Sequence, residues 1–232
     1  TASASDRDEL TVSGEFGNAL TDPFDNIATK TLGKLPRANG LRVSLEKNLP
    51  VAAGLGGGSA DAGAIFRLVR EIHGLPDDWQ ERAAKLGADV PACVESLTCI
   101  GRGTGTELEI VDSDLIGTPV LLVNPRVPLA TGPVFKAWDG IDRGALPEGP
   151  ASKIAQEGRN DLEAPAISLV PEIETILTSL NGTEAFLTRM SGSGATCFGL
   201  FDTAQAAKSA AAQISSGNPA WWIQAVKLGE SE

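Results

Sequence analysis

Alternating apolar and polar residues at 9–13 (Glu-Leu-Thr-Val-Ser) predict a half-buried strand, and stricter alternation at 41–46 (Leu-Arg-Val-Ser-Leu-Glu) predicts another. Between them the period changes: Ile27, Thr31 and Leu32 fall at helical spacing before Gly33, with Asp25 placed as the N-cap. After Leu49-Pro50 an apolar approach leads through a glycine run into a helix over 60–73, and a further helix covers 78–86 before a helix-to-loop break at 87–91. Residues 97–100 and 107–111 read as a strand pair, and 119–123 as a fully buried strand. The stretch 136–152, with Asp139-Gly140, Pro147, Gly149 and Pro150, reads as loop and as the hinge candidate. Beyond it the pattern gives helices near 160–168 and 171–180, then strand, glycine-rich turn and strand through 186–201. An alanine-rich helix over 203–215 and a last strand over 221–227 follow. Strands and helices mixed without a regular βα alternation predict an α+β fold.

Composition narrows the chemistry. Thirty acidic against nineteen basic residues leave a net charge of −11, which disfavours a nucleic-acid partner but not a small anionic ligand held by backbone N–H groups. Cys93, Cys99 and Cys197 are odd in number and lack C-x-x-C spacing, which argues against a disulfide framework and against structural zinc. His73 is the only histidine, so a multi-histidine metal site is excluded, and it reads as a surface or helix-end residue. No run approaches the roughly 18 apolar residues of a membrane span, and no membrane partner is expected. Residues Thr1–Ser5 show no secretory or transit pattern. They read as the cut half of a strand–turn–strand, so the chain is expected to be a fragment.

Gly 26 and Pro 14 in 232 residues exceed the usual ~12% for the pair, and six of those glycines sit in two clusters. In Gly54-Leu55-Gly56-Gly57-Gly58-Ser59 they lie between an apolar approach and an amphipathic helix. Glycines there let successive N–H groups point into one concavity, the helix N-terminus adds positive charge, and the Ser59 hydroxyl can reach a phosphate or Mg²⁺. A side chain at Gly57 would fill the phosphate path and, on this reading, meet costly backbone angles. A flexible turn is the bland alternative. Neither G-x-x-x-x-G-K-[ST] nor G-x-G-x-x-G is present: no lysine follows these glycines, and Ser59 and Cys197 stand where a third glycine would be. The second cluster, Ser191-Gly192-Ser193-Gly194-Ala195, joins two apolar strands, and alone it could be a bulged hairpin. Together the clusters suggest one site drawn from both halves of the chain.

These segments resemble a known family. "LPVAAGLGGGSAD" and "LTRMSGSGATCFGLF" are similar to the two glycine motifs of the galactokinase, homoserine, mevalonate and phosphomevalonate (GHMP) kinase superfamily. "LGADVP" and "TGPVF" resemble the branch whose acceptor is a cytidine diphosphate-linked methylerythritol; "DNIATKTL", "VPLATGPVFKAW" and "GRNDLE" extend the likeness over most of the chain. The resemblance implies a two-domain fold of mixed sheets packed with helices, divided as 1–122 (nucleotide-binding, first strands lacking) and 123–232. It implies an ATP-dependent kinase of non-mevalonate isoprenoid synthesis that uses Mg²⁺ to phosphorylate the 2-hydroxyl of that small-molecule acceptor, in the cytoplasm, as a monomer or homodimer.

By the same resemblance Asp89 is the catalytic acid–base or hydroxyl-orienting residue, and its place between apolar neighbours suggests a buried carboxylate that needs a role. Pro50, Val51, Ala52, Ala53, Gly54, Leu55, Gly56, Gly57, Gly58 and Ser59 would bind ATP together with Asn26 and Lys47, and Ser59 would be a metal ligand. Taken alone, Asn26 could be a helix cap and Lys47 a solvated lysine. Thr131, Phe135, Gly192, Ser193 and Gly194 would bind the acceptor, with Phe135 stacking on cytosine, although a phenylalanine here is more often core. The family's opening "P-A-K-I-N-L" strand and "D-G-Y-H" turn are not found in the sequence, which has no tyrosine. Low turnover and an unpaired sheet edge are therefore expected of residues 1–232 alone. Another small-alcohol kinase of the superfamily, and an inactive nucleotide-binding module, remain as alternatives.

Overall fold

The computed structural model describes residues 1–20, 22, 26–105 and 107–229, in two compact units. The first comprises Thr1–Val51 and Gly56–Ile110, the second Ala52–Leu55 and Val111–Glu232. The strand that a division at 122/123 would cut lies wholly in the second unit.

In the first unit β3 (Gly40–Glu46) is the centre of a three-stranded sheet, with β1 (Ala2–Ser5) antiparallel on one side and β2 (Glu9–Ser13) parallel on the other. Leu41 and Val43 of β3 point into a core made with α1 (Ile27–Lys34) and α2 (Gly57–His73), which buries Ala62, Ile65, Phe66 and Val69 on one face. The cap of α1 is Asn26, whose Oδ1 accepts from Ala28 N at 2.9 Å; the expected cap, Asp25, lies outside the described residues. Helix α2 begins three residues earlier than expected, because Gly57, Gly58 and Ser59 already belong to its first turn. After α3 (Trp79–Ala84) comes a helix that the sequence reading missed, α4 (Val90–Glu95). The pattern predicts a helix-to-loop break at 87–91, but Pro91 lies at the start of this helix, where its missing N–H costs nothing. Gly63 lets α2 and α4 touch: a Cβ there would lie 2.4 Å from Cys93 O. The antiparallel pair β4 (Cys99–Arg102) and β5 (Glu107–Ile110) completes this unit.

The second unit is built on an antiparallel sheet ordered β7-β8-β6-β9: β6 (Pro119–Asn124), β7 (Leu187–Met190), β8 (Cys197–Leu200) and β9 (Trp222–Lys227). Helices α7 (Glu163–Leu169), α8 (Glu172–Asn181) and α9 (Ala204–Gly217) contribute Ala166, Ile173, Ile176, Leu180, Ala207, Ala210 and Ile214 to its core. Thr203 caps α9, its hydroxyl accepting from Ala206 N at 3.1 Å. Two short helices, α5 (Thr131–Ala137) and α6 (Ala151–Glu157), were not expected and flank the predicted loop. Mixed sheets packed with helices make the α+β fold that the pattern predicts.

Candidate functional site

In the first unit the conspicuous feature is the first turn of α2. Its earliest intrahelical bond runs from Ala60 N to Gly56 O at 2.8 Å, so the N–H groups of Gly57, Gly58 and Ser59 precede the ladder. Gly56, at φ +62°, turns the chain into the helix in a conformation that side chains resist. Gly57 is different. Its φ is not left-handed, so the expected backbone penalty does not apply there, and its open face instead meets Lys47 Nζ, 3.4 Å from where a Cβ would stand. A Cβ on Gly58 would touch Ile27 Cγ2 at 3.6 Å, and the Ser59 hydroxyl lies 3.9 Å from the corresponding point on Gly87. The turn is thus ringed by the exit of β3, the start of α1 and the approach to α4.

Two of the ring's polar side chains are buried. Lys47, 5% exposed, pairs with Asp61 at 2.5 Å, so it is not the solvated lysine of the bland reading. Asn26, 4% exposed, uses its carbonyl as a cap while its Nδ2 finds no partner among the described residues. An unspent buried donor is costly unless a ligand or water takes it. Asp89 departs from expectation: it is exposed, at the N-cap position of α4, and its side chain makes no cap bond. The turn from Gly87 to Val90 holds the acid on the surface, so the desolvation argument for it falls. Its charge, second to burial, helps push the Cys93 thiol up.

In the second unit, residues Ala52–Leu55 lie against the second glycine cluster. Thr196 N donates to Ala53 O at 3.2 Å, and Ser191 Oγ to Gly54 O at 2.8 Å. Gly54 (φ +73°) leaves no room: a Cβ would sit 2.3 Å from Ser191 O and 2.7 Å from Gly194 O. Ahead of this contact Pro50 is buried and Val51 exposed, and Ala52 takes a left-handed φ of 54°. Thr131 Oγ1 lies 3.0 Å from Ser193 Oγ, which connects α5 to the turn containing Gly192 and Gly194. Thr131 and Phe135, one helical turn apart, share a face of α5. Phe135 is 52% exposed while Val134 beside it is buried, so the core reading of Phe135 fails.

Sequence reasoning missed what holds this turn. Asn160 Nδ2 donates to Met190 O at 2.9 Å and to Gly192 O at 2.8 Å, and Glu163 Oε2 accepts from Met190 N at 3.0 Å. The Asn-x-x-Glu spacing before an apolar run signals a helix start, but not a reach across 30 residues to a turn. Burial, followed by the charge of Glu163, pushes the Cys197 thiol up to about 12.

Known proteins similar to this chain place it in a family. The GHMP kinases N terminal domain family matches residues 24–96, and the GHMP kinases C terminal family residues 145–220. A 4-diphosphocytidyl-2-C-methyl-D-erythritol kinase from Novosphingobium aromaticivorans is 66% identical over 222 residues, covering 96% of this chain and 77% of the relative. One of the same name from Erythrobacter litoralis is 56% identical, covering 95% and 82%. A crystal structure of 4-(cytidine 5'-diphospho)-2C-methyl-D-erythritol kinase superposes with a TM-score of 0.78 at 26% identity, over 99% of this chain and 85% of that one. Homoserine kinase from Cytophaga hutchinsonii, at TM-score 0.72 and 18% identity, shares the fold. By sequence, by fold and by the two glycine turns, the chain belongs to the GHMP kinases, in the family of the 4-diphosphocytidyl-2-C-methyl-D-erythritol kinases.

Proposed function

We propose that this kinase transfers the terminal phosphoryl group of ATP to the 2-hydroxyl of 4-diphosphocytidyl-2-C-methyl-D-erythritol. The observation that carries the reading is the first turn of α2. Gly57, Gly58 and Ser59 present N–H groups that precede the helical ladder, beside the buried ammonium of Lys47, as phosphate binding demands. The unspent Nδ2 of Asn26 suits a base or ring acceptor at the same end of α1. Asp89, exposed and without a cap bond, is free to accept or orient the proton of the attacking hydroxyl. The exposed ring of Phe135, with Thr131 and the turn of Gly192, Ser193 and Gly194, offers a stacking face and hydroxyls for the cytidine-bearing acceptor.

Mg²⁺ takes oxygen ligands, keeps several waters and is held in part by the phosphates themselves, so a single protein oxygen fits its demand. Ser59 Oγ, on the same turn as the N–H groups, is the residue that would hold it; bound there, the ion would neutralise charge developing on the transferred phosphate. Phosphoryl transfer then depends on positioning by the α2 turn and on Asp89 at the acceptor oxygen. A nucleotide and a charged diphosphate do not leave the cell unaided, which puts the activity in the cytoplasm.

The test is calorimetric titration of the protein with MgATP, repeated with Gly57→Val. Valine methyls would occupy the space toward Lys47 Nζ and Leu49, so heat of binding should vanish while circular dichroism stays unchanged. Unaltered affinity in the folded variant would remove the α2 turn from the site.

A further inference from the structure

Asp61 is the carboxylate with which Lys47 forms an ion pair among the described residues. The root of Lys47 is fixed by its backbone: its N–H donates to Ser13 O at 2.7 Å and its carbonyl accepts from Phe16 N at 2.9 Å. Gly14 lies over the same peptide, close enough that a Cβ would fall 2.7 Å from both Lys47 N and O. The side chain therefore leaves a rigid point and runs inward, 6% exposed, to Asp61 Oδ2 at 2.5 Å. Asp61 stands four residues after Gly57, on the same face of α2, so the ammonium is drawn down along that face to the open side of the first turn. Glycine at 57 keeps the ammonium's approach clear.

We propose that Asp61 is a positioning residue for the nucleotide: it holds the Lys47 ammonium beside the first turn of α2, with its remaining donors directed to a phosphate oxygen. This rests on the α2 turn being the phosphate cradle. An ammonium carries three donors, and Asp61 takes one. A buried ion pair adds little stability of its own, so the gain from this one lies in where it puts the charge. Without a partner the flexible lysine stem would sample other directions. With Asp61 the turn keeps a fixed cation, and the carboxylate's own repulsion toward an anion is cancelled at 2.5 Å. Lysine binds phosphate as a point charge, so its position decides its contribution.

The experiment is a double-mutant cycle with Asp61→Asn, Lys47→Met and both together, titrated with MgATP and with adenosine. Asp61→Asn should raise the Kd for MgATP about tenfold, the size of a lost charge-assisted contact, and leave adenosine affinity unchanged. Adding Asp61→Asn to Lys47→Met should change nothing more, because the acid acts through the lysine. In turnover the loss should fall on KM for ATP rather than on kcat, and Asp61→Glu should recover part of it. Additive losses, an equal loss for adenosine, or undiminished MgATP affinity in a folded Asp61→Asn would each overturn the proposal while the cradle stands. No MgATP binding by the wild type would overturn the cradle, and this proposal with it.

Discussion

Gly54→Ala puts a methyl group where the second unit has none to spare. The added Cβ would stand 2.3 Å from Ser191 O, 2.7 Å from Gly194 O and 2.8 Å from Gly194 N, all backbone atoms that cannot swing aside as a side chain can. Three costs combine. A left-handed φ of +73° charges a non-glycine residue about 1–2 kcal/mol. Overpacking against fixed atoms adds about 1–3 kcal/mol. Parting the two segments breaks the Ser191 Oγ bond to Gly54 O and the Thr196 N bond to Ala53 O, at roughly 1 kcal/mol each. The expected loss is therefore about 4–7 kcal/mol, a large share of the ~5–15 kcal/mol that holds an ordinary domain. Urea melts followed by tryptophan fluorescence would read it, with Gly33→Ala as the partner measurement. Gly33 lies within α1 and nothing stands within 4 Å of its Cβ position, so that change should stabilise by about 0.5–1 kcal/mol. A Gly54→Ala variant that lost less than about 1 kcal/mol would mean that the two segments are not packed as described.

Asp89→Asn should lower kcat by about 10²–10⁴ with little change in melting temperature, because the exposed carboxylate makes no cap bond whose loss would unfold α4; an ADP-release assay beside a thermal melt separates the two. Phe135→Ala should raise KM for the acceptor by tenfold or more, the loss of one base–aromatic stack, while KM for ATP and stability hold, since half the ring is already in solvent. The Cys197 thiol, pushed from its ordinary 9.0 to about 12, keeps its proton in the folded protein when the unfolded chain has lost it. The folded state thus binds more protons, and this group's contribution to stability should fall between pH 9 and 12, by up to about 1.4 kcal/mol per pH unit. Urea melts of wild type and Cys197→Ala across that range would show the steeper fall only in the wild type.

Much of the fold was legible because burial follows period. β2 emerged over the residues its alternation marks, β3 within one residue, and α9 within two at its end. What escaped was short or contextual. α4 was lost because Pro91 reads as a stop unless one sees that it occupies the first turn of a helix. α5 and α6 are seven residues each, too short for a periodic signal to rise above a glycine- and proline-rich background. At the candidate site, the two glycine clusters announced themselves by composition. The way Ala52–Leu55 locks onto Ser191–Thr196 did not, since hydrogen bonds between segments 137 residues apart leave no local pattern. The same holds for Asn160 beneath the second turn and for Asp61, an ordinary helical acid until Lys47 is seen to reach it. Asp89 shows the opposite error: apolar neighbours in sequence suggested burial, yet the turn before α4 leaves the acid in solvent.

The most direct measurement is phosphorus NMR of the product. The purified protein is incubated with ATP, Mg²⁺ and 4-diphosphocytidyl-2-C-methyl-D-erythritol, with homoserine and mevalonate as parallel acceptors. The account predicts a new phosphate-monoester resonance on the 2-hydroxyl of the cytidylylated acceptor, growing in step with ADP, and none from the other two. Phosphorylation of homoserine or mevalonate instead, or MgATP bound with no phosphoryl transfer to any acceptor, would contradict it.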